Sequence, residues 1–323
     1  MFVLGLQGSP RRKGNSAFLL STVMEEARRL GARTETVEVD RENILPCKEY
    51  VVCEKKGFCP IDDYMKHRGY TLLRRADVIV AASPIFFYNC TAQLKALIDR
   101  TQTLWARRYR LKLSDPKAKN RRGFALSVAA THGKQLFDGL HLTMQYFFDA
   151  ASARYYGSLT YRGIEKAGEM AKHPKVNEDV TGAVQDLLAP FLGRRRLLFI
   201  SQQGAARSQM AAAFAQVRAG GRFDIRCAGI RPAEKILPAA VGTMRGKGID
   251  LGFLRPEVLS EVMEGWTEPE AVVTFGDVDG LPAFKDARTE SWDLPCPDPQ
   301  DDAAWQALAE EIQRRAQTLT DSL

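Results

Sequence analysis

Two stretches place a polar, glycine-bounded loop between an apolar strand and a helix. The first is Gly8-Ser9-Pro10-Arg11-Arg12-Lys13-Gly14-Asn15-Ser16, after an apolar run at residues 2–6. The second is Ser201-Gln202-Gln203-Gly204-Ala205-Ala206-Arg207-Ser208, after an apolar run at residues 196–200. A loop of this form aims its backbone N–H groups and the following helix N-terminus at one point, which favours an anion there. In the first loop Ser9, Asn15 and Ser16 add side-chain donors, and Arg11, Arg12 and Lys13 add positive charge. In the second, Arg207 and Ser208 do the same. A third group is Cys47, Cys53 and Cys59, three thiols within thirteen residues. Two further loops follow apolar strands: Pro84-Ile85-Phe86-Phe87-Tyr88-Asn89, rich in aromatic surface, and Thr131-His132-Gly133.

The elements that must carry these loops alternate. Strands are expected at residues 2–6, 34–39, 77–82, 123–130 and 153–159. Helices are expected at about 17–30, 64–75, 91–104, 137–150 and 177–189, from apolar positions recurring at helical spacing. The run 77–82 has the Val/Ile content of a strand buried on both faces. This alternation predicts an α/β, doubly wound, mostly parallel sheet, with ligands bound outside the carboxyl ends of its strands. The loops at 8–16, 83–89 and 131–133 then share one sheet edge. A polar stretch follows at 160–180. Pro190 stops the last helix, and Gly193 marks the turn into a second pattern of strands and helices. The expected domains are 1–193 and 194–323.

The chain has 323 residues, 45% hydrophobic and 26% charged, with a net charge of +7. That composition is globular, and no apolar run approaches the roughly 20 residues of a membrane span. No signal-peptide pattern opens the sequence, so a cytoplasmic setting with reduced cysteines is expected. The basic runs are short and scattered, and no nucleic-acid module accompanies them. They suit phosphate-bearing small molecules, and neither nucleic acid nor membrane is expected as a partner.

The segments GSPRRKGNS and SPIFFYNCTAQLKALIDR, with a cysteine loop between them ending in Asp62-Asp63, resemble the NADPH-dependent FMN reductases. Within that group the chain is most similar to the iron–sulfur flavoproteins, over residues 1–190. The resemblance implies a flavodoxin-like fold that binds FMN. Ser9, Arg11, Lys13, Asn15 and Ser16 would hold the phosphate. Pro84, Ile85, Phe86, Phe87, Tyr88 and Asn89 would flank the flavin ring, and Thr131, His132 and Gly133 its other side. One of the three consecutive aromatics is expected to pack into the core, since neighbouring strand-end side chains point in different directions. In the iron–sulfur flavoproteins a run of four cysteines binds a [4Fe–4S] cluster. Here Tyr50 stands at the second position, leaving Cys47, Cys53 and Cys59, and a cubane normally takes four thiolates. No cluster is therefore expected. Zinc with a fourth ligand stays open, and a loop of reduced thiols is the favoured reading. Asp62 and Asp63 read as a helix N-cap and a first-turn acid.

Residues 194–323 resemble the low-molecular-weight protein tyrosine phosphatases and their arsenate-reductase relatives. The match rests on the loop at 201–208, a strand ending in Ala228-Gly229, the turn Lys247-Gly248-Ile249-Asp250 and Asp298-Pro299. The nucleophilic cysteine of that family is Ser201 here, and its loop asparagine is Gly204. A loop of this kind creates a thiolate by depressing its pKa, and a serine hydroxyl starts far higher with no general base in the motif. Phosphatase or arsenate reductase activity is not expected. Arg207 and Ser208 would still bind an oxyanion, with Asp298 as a relic acid or a turn residue.

The expected function is an FMN-dependent NAD(P)H oxidoreductase. It would pass electrons to a quinone, metal oxyanion, flavin or protein acceptor, and the resemblance adds a homo-oligomer. Two alternatives stand: an electron-transfer flavoprotein of iron–sulfur type, and a regulatory oxyanion sensor or partner-binding module linked to arsenate or phosphate.

Overall fold

The computed structural model describes residues 1–266 and 268–323. The chain divides into two compact units. One comprises Met1–Lys112 and Asn120–Leu192, the other Leu113–Lys119 and Gly193–Leu323.

The first unit is a five-stranded sheet of β1 (Phe2–Gln7), β2 (Arg33–Glu38), β3 (Val78–Pro84), β4 (Arg122–Val128) and β5 (Arg154–Tyr161). Every pair is parallel, in the order β2-β1-β3-β4-β5. This is the flavodoxin-like order, whose switch point lies between β1 and β3. The helices are α1 (Asn15–Arg29), α2 (Val52–Lys56), α3 (Tyr70–Arg75), α4 (Ala92–Arg100), α5 (Gln102–Tyr109), α6 (Asp138–Ala150) and α7 (Val176–Leu188). On α1, Leu19, Leu20, Val23, Met24 and Ala27 recur three or four residues apart and are buried. They lie on the sheet so closely that a Cβ at Gly5 would stand 3.1 Å from the Met24 sulfur.

Three local expectations are corrected. The helix expected over 91–104 is two helices, α4 and α5, parted at Thr101, whose hydroxyl turns back to the Ile98 carbonyl at 2.6 Å. The polar stretch 160–180 is no bare linker. It places Met170, fully buried, in the core cluster with α1 and α7. The capping acid before the helical segment at 64–75 is Asp63, while Asp62 reaches outward to Lys66 and His67.

Asp63 does more than cap. Its carboxylate forms an ion pair with Arg100 at the end of α4, and both side chains are fully buried. The carboxylate also accepts the N–H of Leu45 at 3.0 Å and of Met65 at 3.1 Å. Arg100 donates in turn to the Leu45 carbonyl at 2.8 Å. The base of the cysteine loop is thereby fastened to α4.

The second unit is a four-stranded parallel sheet of β6 (Arg195–Ser201), β7 (Phe223–Gly229), β8 (Ala271–Thr274) and β9 (Arg288–Ser291), ordered β7-β6-β8-β9. Around it lie α8 (Arg207–Ala219), α9 (Pro238–Gly246), α10 (Leu259–Val262) and α11 (Asp302–Ser322). Trp305, Leu308, Ile312, Ala316 and Leu319 of α11 join Met210 and Phe214 of α8 in its core. The segment Leu113–Lys119 belongs here too. The Ser114 N–H donates to the Gly248 carbonyl at 2.8 Å, and the Ser114 carbonyl accepts from the Asp250 N–H at 2.9 Å. No described helix is long and apolar enough to cross a membrane.

Removing one partner of the buried pair leaves the other charge unpaired. Arg100→Met or Asp63→Asn is expected to destabilise the first unit by about 3–5 kcal/mol. Joint replacement by apolar residues should cost much less than the two single changes summed. Urea unfolding of the two single variants and the double variant measures this.

Candidate functional site

Gly8 follows β1 directly. Its N–H donates to the Ala82 carbonyl of β3 at 2.8 Å, and a Cβ there would meet that oxygen and Leu94 at 2.9 Å. Only glycine lets the loop pass this close to the neighbouring strand. Ser9 is buried, and its hydroxyl accepts the Arg11 N–H at 3.1 Å, which curls the loop tip. The loop ends at Gly14, the N-cap of α1, where no side chain caps the helix. The first-turn amides of a fifteen-residue helix are thus left for an external acceptor. Arg11, Arg12 and Lys13 are exposed at the tip, with Arg12 within 3.5 Å of Glu38.

Asn15 departs from its expected role. Its side-chain amide donates to the Lys166 carbonyl at 2.9 Å and accepts the Met170 N–H at 3.1 Å. It braces the loop after β5 with its carbonyl oxygen and one of its two amide N–H donors. Ser16 is buried in the first turn.

The loops after β1, β3 and β4 are tied to one another. Thr91, fully buried, caps α4 by accepting the Leu94 N–H at 3.3 Å, and its hydroxyl donates to the Gly8 carbonyl at 2.6 Å. The Thr91 N–H donates to the Ser83 hydroxyl at 3.1 Å, and the Ser127 hydroxyl donates to the Ser83 carbonyl at 2.8 Å. The Ile85 N–H reaches the Val128 carbonyl at 3.0 Å. Pro84 itself ends β3.

From there Phe86 and Asn89 exchange backbone hydrogen bonds of 2.9 and 3.0 Å, closing a two-residue turn over Phe87 and Tyr88. Both turn residues have left-handed φ, 47° and 62°. Such a turn suits glycine or asparagine at both places, so two aromatics here hold strain. None of the three aromatics packs into the core, contrary to expectation. Phe86 and Tyr88 are half exposed, and Phe87 is entirely exposed. A turn pinned at both ends lifts all three side chains off the sheet edge. Asn89 is occupied structurally, donating to Thr143 of α6 at 3.0 Å and accepting the Cys90 N–H at 2.8 Å.

Thr131 and His132 are exposed beyond β4. Gly133 lies against Tyr88, whose hydroxyl oxygen would stand 2.9 Å from a Cβ at that glycine. His132 lies over Gly163, whose added Cβ would be 2.8 Å from its Nε2. The edge therefore gathers an uncapped helix N-terminus, an aromatic turn and a glycine-bearing loop. Sequence reasoning missed Thr91, Gln7 and the returning loop at 162–170. The signal for that loop was Ile164 and Met170, apolar among charges.

Cys47 is exposed, and Cys53 and Cys59 are partly buried. Burial pushes the Cys53 thiol up, with Cys59 and Cys47 adding repulsion. Cys90 is buried, and burial pushes its thiol up to about 11. Tyr50 is exposed. Among the described residues, no three His, Cys, Asp or Glu groups are gathered as a metal site. The residues present do not fit a four-thiolate cluster.

In the second unit the Ser201 hydroxyl accepts the Gly204 N–H at 3.1 Å and lies 3.0 Å from the Ser208 hydroxyl. Gly204, with φ of +60°, presses on Gly229, and a Cβ would stand 2.9 Å from its nitrogen. Arg207 donates to the Leu294 carbonyl and lies over the Phe275 ring, its guanidinium carbon 5.8 Å from the centroid. Asp298 is exposed. Its carboxylate accepts the Gln300 N–H at 2.8 Å, and its carbonyl accepts from Asp301 at 3.0 Å. It is the turn residue that precedes α11.

Residues 1–154 match the NADPH-dependent FMN reductase family. The chain is 32% identical to an iron–sulfur flavoprotein of Methanosarcina thermophila over 173 residues, which is 51% of this chain and 85% of that protein. A NAD(P)H:quinone oxidoreductase from Methanothermobacter marburgensis aligns structurally with 17% identity and a TM-score of 0.44, covering 58% of this chain and 96% of that one. An arsenate reductase from Archaeoglobus fulgidus aligns with 22% identity and a TM-score of 0.34, covering 39% of this chain and 98% of that one.

Relieving the left-handed backbone at Phe87 separates stability from binding. Phe87→Gly is expected to stabilise the fold by about 1 kcal/mol in urea unfolding. It should also weaken flavin binding, because an aromatic wall of the turn is gone. A variant that is less stable would show that the turn is unstrained.

Proposed function

This chain belongs to the iron–sulfur flavoproteins of the NADPH-dependent FMN reductase family, and on that footing we propose that its first unit is an FMN-dependent NAD(P)H oxidoreductase. The observation that carries the reading is the pairing, on one sheet edge, of an uncapped helix N-terminus with an exposed aromatic turn. FMN has a phosphate at one end and a flat ring at the other, and the edge offers a place for each.

When bound, FMN supplies the chemistry of accepting a hydride from NAD(P)H and passing electrons on. The chain's own residues bind and orient. Ser9, Ser16 and the amides of the first turn of α1 hold the phosphate. Arg11 and Lys13 at the tip add charge that draws phosphate-bearing molecules in. Pro84, Ile85 and the turn at Phe86, Phe87 and Tyr88 flank the ring. Gly133, with Thr131 and His132, lines the opposite side, where the absence of a side chain lets the ring approach. No acid–base side chain is required. The electron acceptor is a quinone, metal oxyanion, flavin or protein, in a cytoplasmic setting.

The flavin is the redox group in this reading, because the cysteine loop lacks a fourth thiolate. The second unit is a non-catalytic oxyanion-binding module. Ser201 lacks the acidity of the thiol it replaces, and its hydroxyl is already engaged by Gly204 and Ser208.

Purified full-length protein should be yellow, take up one FMN per chain and oxidise NAD(P)H. Colourless protein that takes up no added FMN overturns the reading. After anaerobic treatment with iron and sulfide and then desalting, the protein should retain far less than the about four irons of a cubane. Tyr50→Cys completes the four-thiol spacing and should raise the iron retained. Four irons on the unaltered chain would refute the flavin-only reading. With p-nitrophenyl phosphate, hydrolysis by the unaltered chain should be at background. Measurable hydrolysis that Ser201→Ala abolishes would make the second unit an enzyme.

A further inference from the structure

We infer that Gln7 is an internal donor to the phosphate of the first cradle, and so helps the site select FMN over flavin without phosphate. The inference rests on the FMN reading above.

Gln7 is the last residue of β1. Alternate residues of a strand share a face. Gly5 faces α1, since its added Cβ would touch Met24 and Leu20. Val3 packs in the cluster with Leu19, Leu20 and Val23. Gln7 therefore points to the α1 side as well. The crossover from β1 to parallel β2 runs α1 back along the sheet, so its first turn lies over the carboxyl end of β1. The Gln7 side chain thus sits beneath the uncapped helix N-terminus.

It is 5% exposed there. Its Oε1 accepts the Ser9 N–H at 3.5 Å, which places the amide under the loop. Its Nε2 has no hydrogen-bond partner among the described residues. A buried donor in that state is destabilising, and native interiors rarely leave one without a reason. Acceptors close by along the chain are already engaged. The Ser9 hydroxyl accepts from Arg11, and the Asn15 carbonyl oxygen accepts from Met170. What the site lacks is an acceptor, and a phosphate brings three oxygens and negative charge. An apolar residue at this position would fill the same space without the penalty. The amide is therefore best explained by a ligand that completes it.

The test compares FMN with riboflavin, which shares the ring and lacks the phosphate. Both are titrated into flavin-free full-length protein, followed by quenching of flavin fluorescence. The variants are Gln7→Leu and Gln7→Glu, with Gln7→Met in reserve should the leucine variant fail to fold by circular dichroism. Gln7→Leu or Gln7→Met should weaken FMN roughly tenfold or more, as expected for one hydrogen bond to a charged group. Riboflavin should change by less than about twofold, since the ring end is untouched. Gln7→Glu should weaken FMN further by facing a dianion with a carboxylate, again sparing riboflavin. Equal loss for both flavins, or no loss of FMN, overturns the role for Gln7. Unaltered protein that prefers FMN no more than riboflavin would instead sink the phosphate cradle itself, whatever the variants do.

Discussion

The geometry of the first unit's sheet edge depends on one buried hydroxyl. Thr91 donates to the carbonyl of Gly8 while capping α4, and its own N–H is held by Ser83. Ser83 in turn receives Ser127 from the next strand. The chain thus carries a continuous set of short bonds across the carboxyl ends of β1, β3 and β4. It adds to the backbone bonds from Gly8 to Ala82 and from Ile85 to Val128 that already cross between these strands. With it, the start of α1 and the aromatic turn are held at a fixed separation. Gly8 makes the arrangement possible, because a side chain there would push β1 and β3 apart at the point where Thr91 must reach across.

A second set of constraints shapes what surrounds that edge. The buried Asp63–Arg100 pair fastens the cysteine loop to the helix that follows the aromatic turn. The Asn15 amide fastens the loop after β5 to the start of α1. Each is a polar group buried at some desolvation cost; Asp63 and the Arg100 terminal nitrogens are paired, while the Arg100 Nε has no partner among the described residues. The strain in Phe87 and Tyr88 persists because the ends of the turn are fixed by two backbone bonds and by the Asn89 contacts to Thr143 and Cys90. A turn free at either end would relax.

Much of this was legible beforehand, and the limits have physical causes. Parallel strands buried on both faces announce themselves, and the residues at 78–83 could hardly be anything else. The loops at 8–16, 84–89 and 131–133 were placed on one edge by alternation alone. The edge strand β9, Arg-Thr-Glu-Ser, has no apolar face to betray it, and it is largely exposed. The apolar spacing of α11 is regular, but no chemistry-bearing motif marks that stretch. Side-chain duties were less readable than backbone positions. Asn15 and Asn89 looked like ligand contacts because of residue type and place, yet the Asn15 amide braces the loop after β5 and the Asn89 amide reaches Thr143 of α6. Thr91, inside the second motif, and Gln7, just before the first, carry bonds that only three dimensions reveal.

The segment Leu113–Lys119 changes what the word domain means for this chain. The backbone leaves the first unit after Lys112, returns at Asn120, and leaves again after Leu192. No single cut can separate the two halves intact. A fragment starting at Gly193 would lack Ser114, which bonds to the backbone of Gly248 and Asp250, and would leave those groups unpaired. The other fragment would keep a loop whose bonding partners were gone. Exchange of either half for a homologue would now have to carry those seven residues with it.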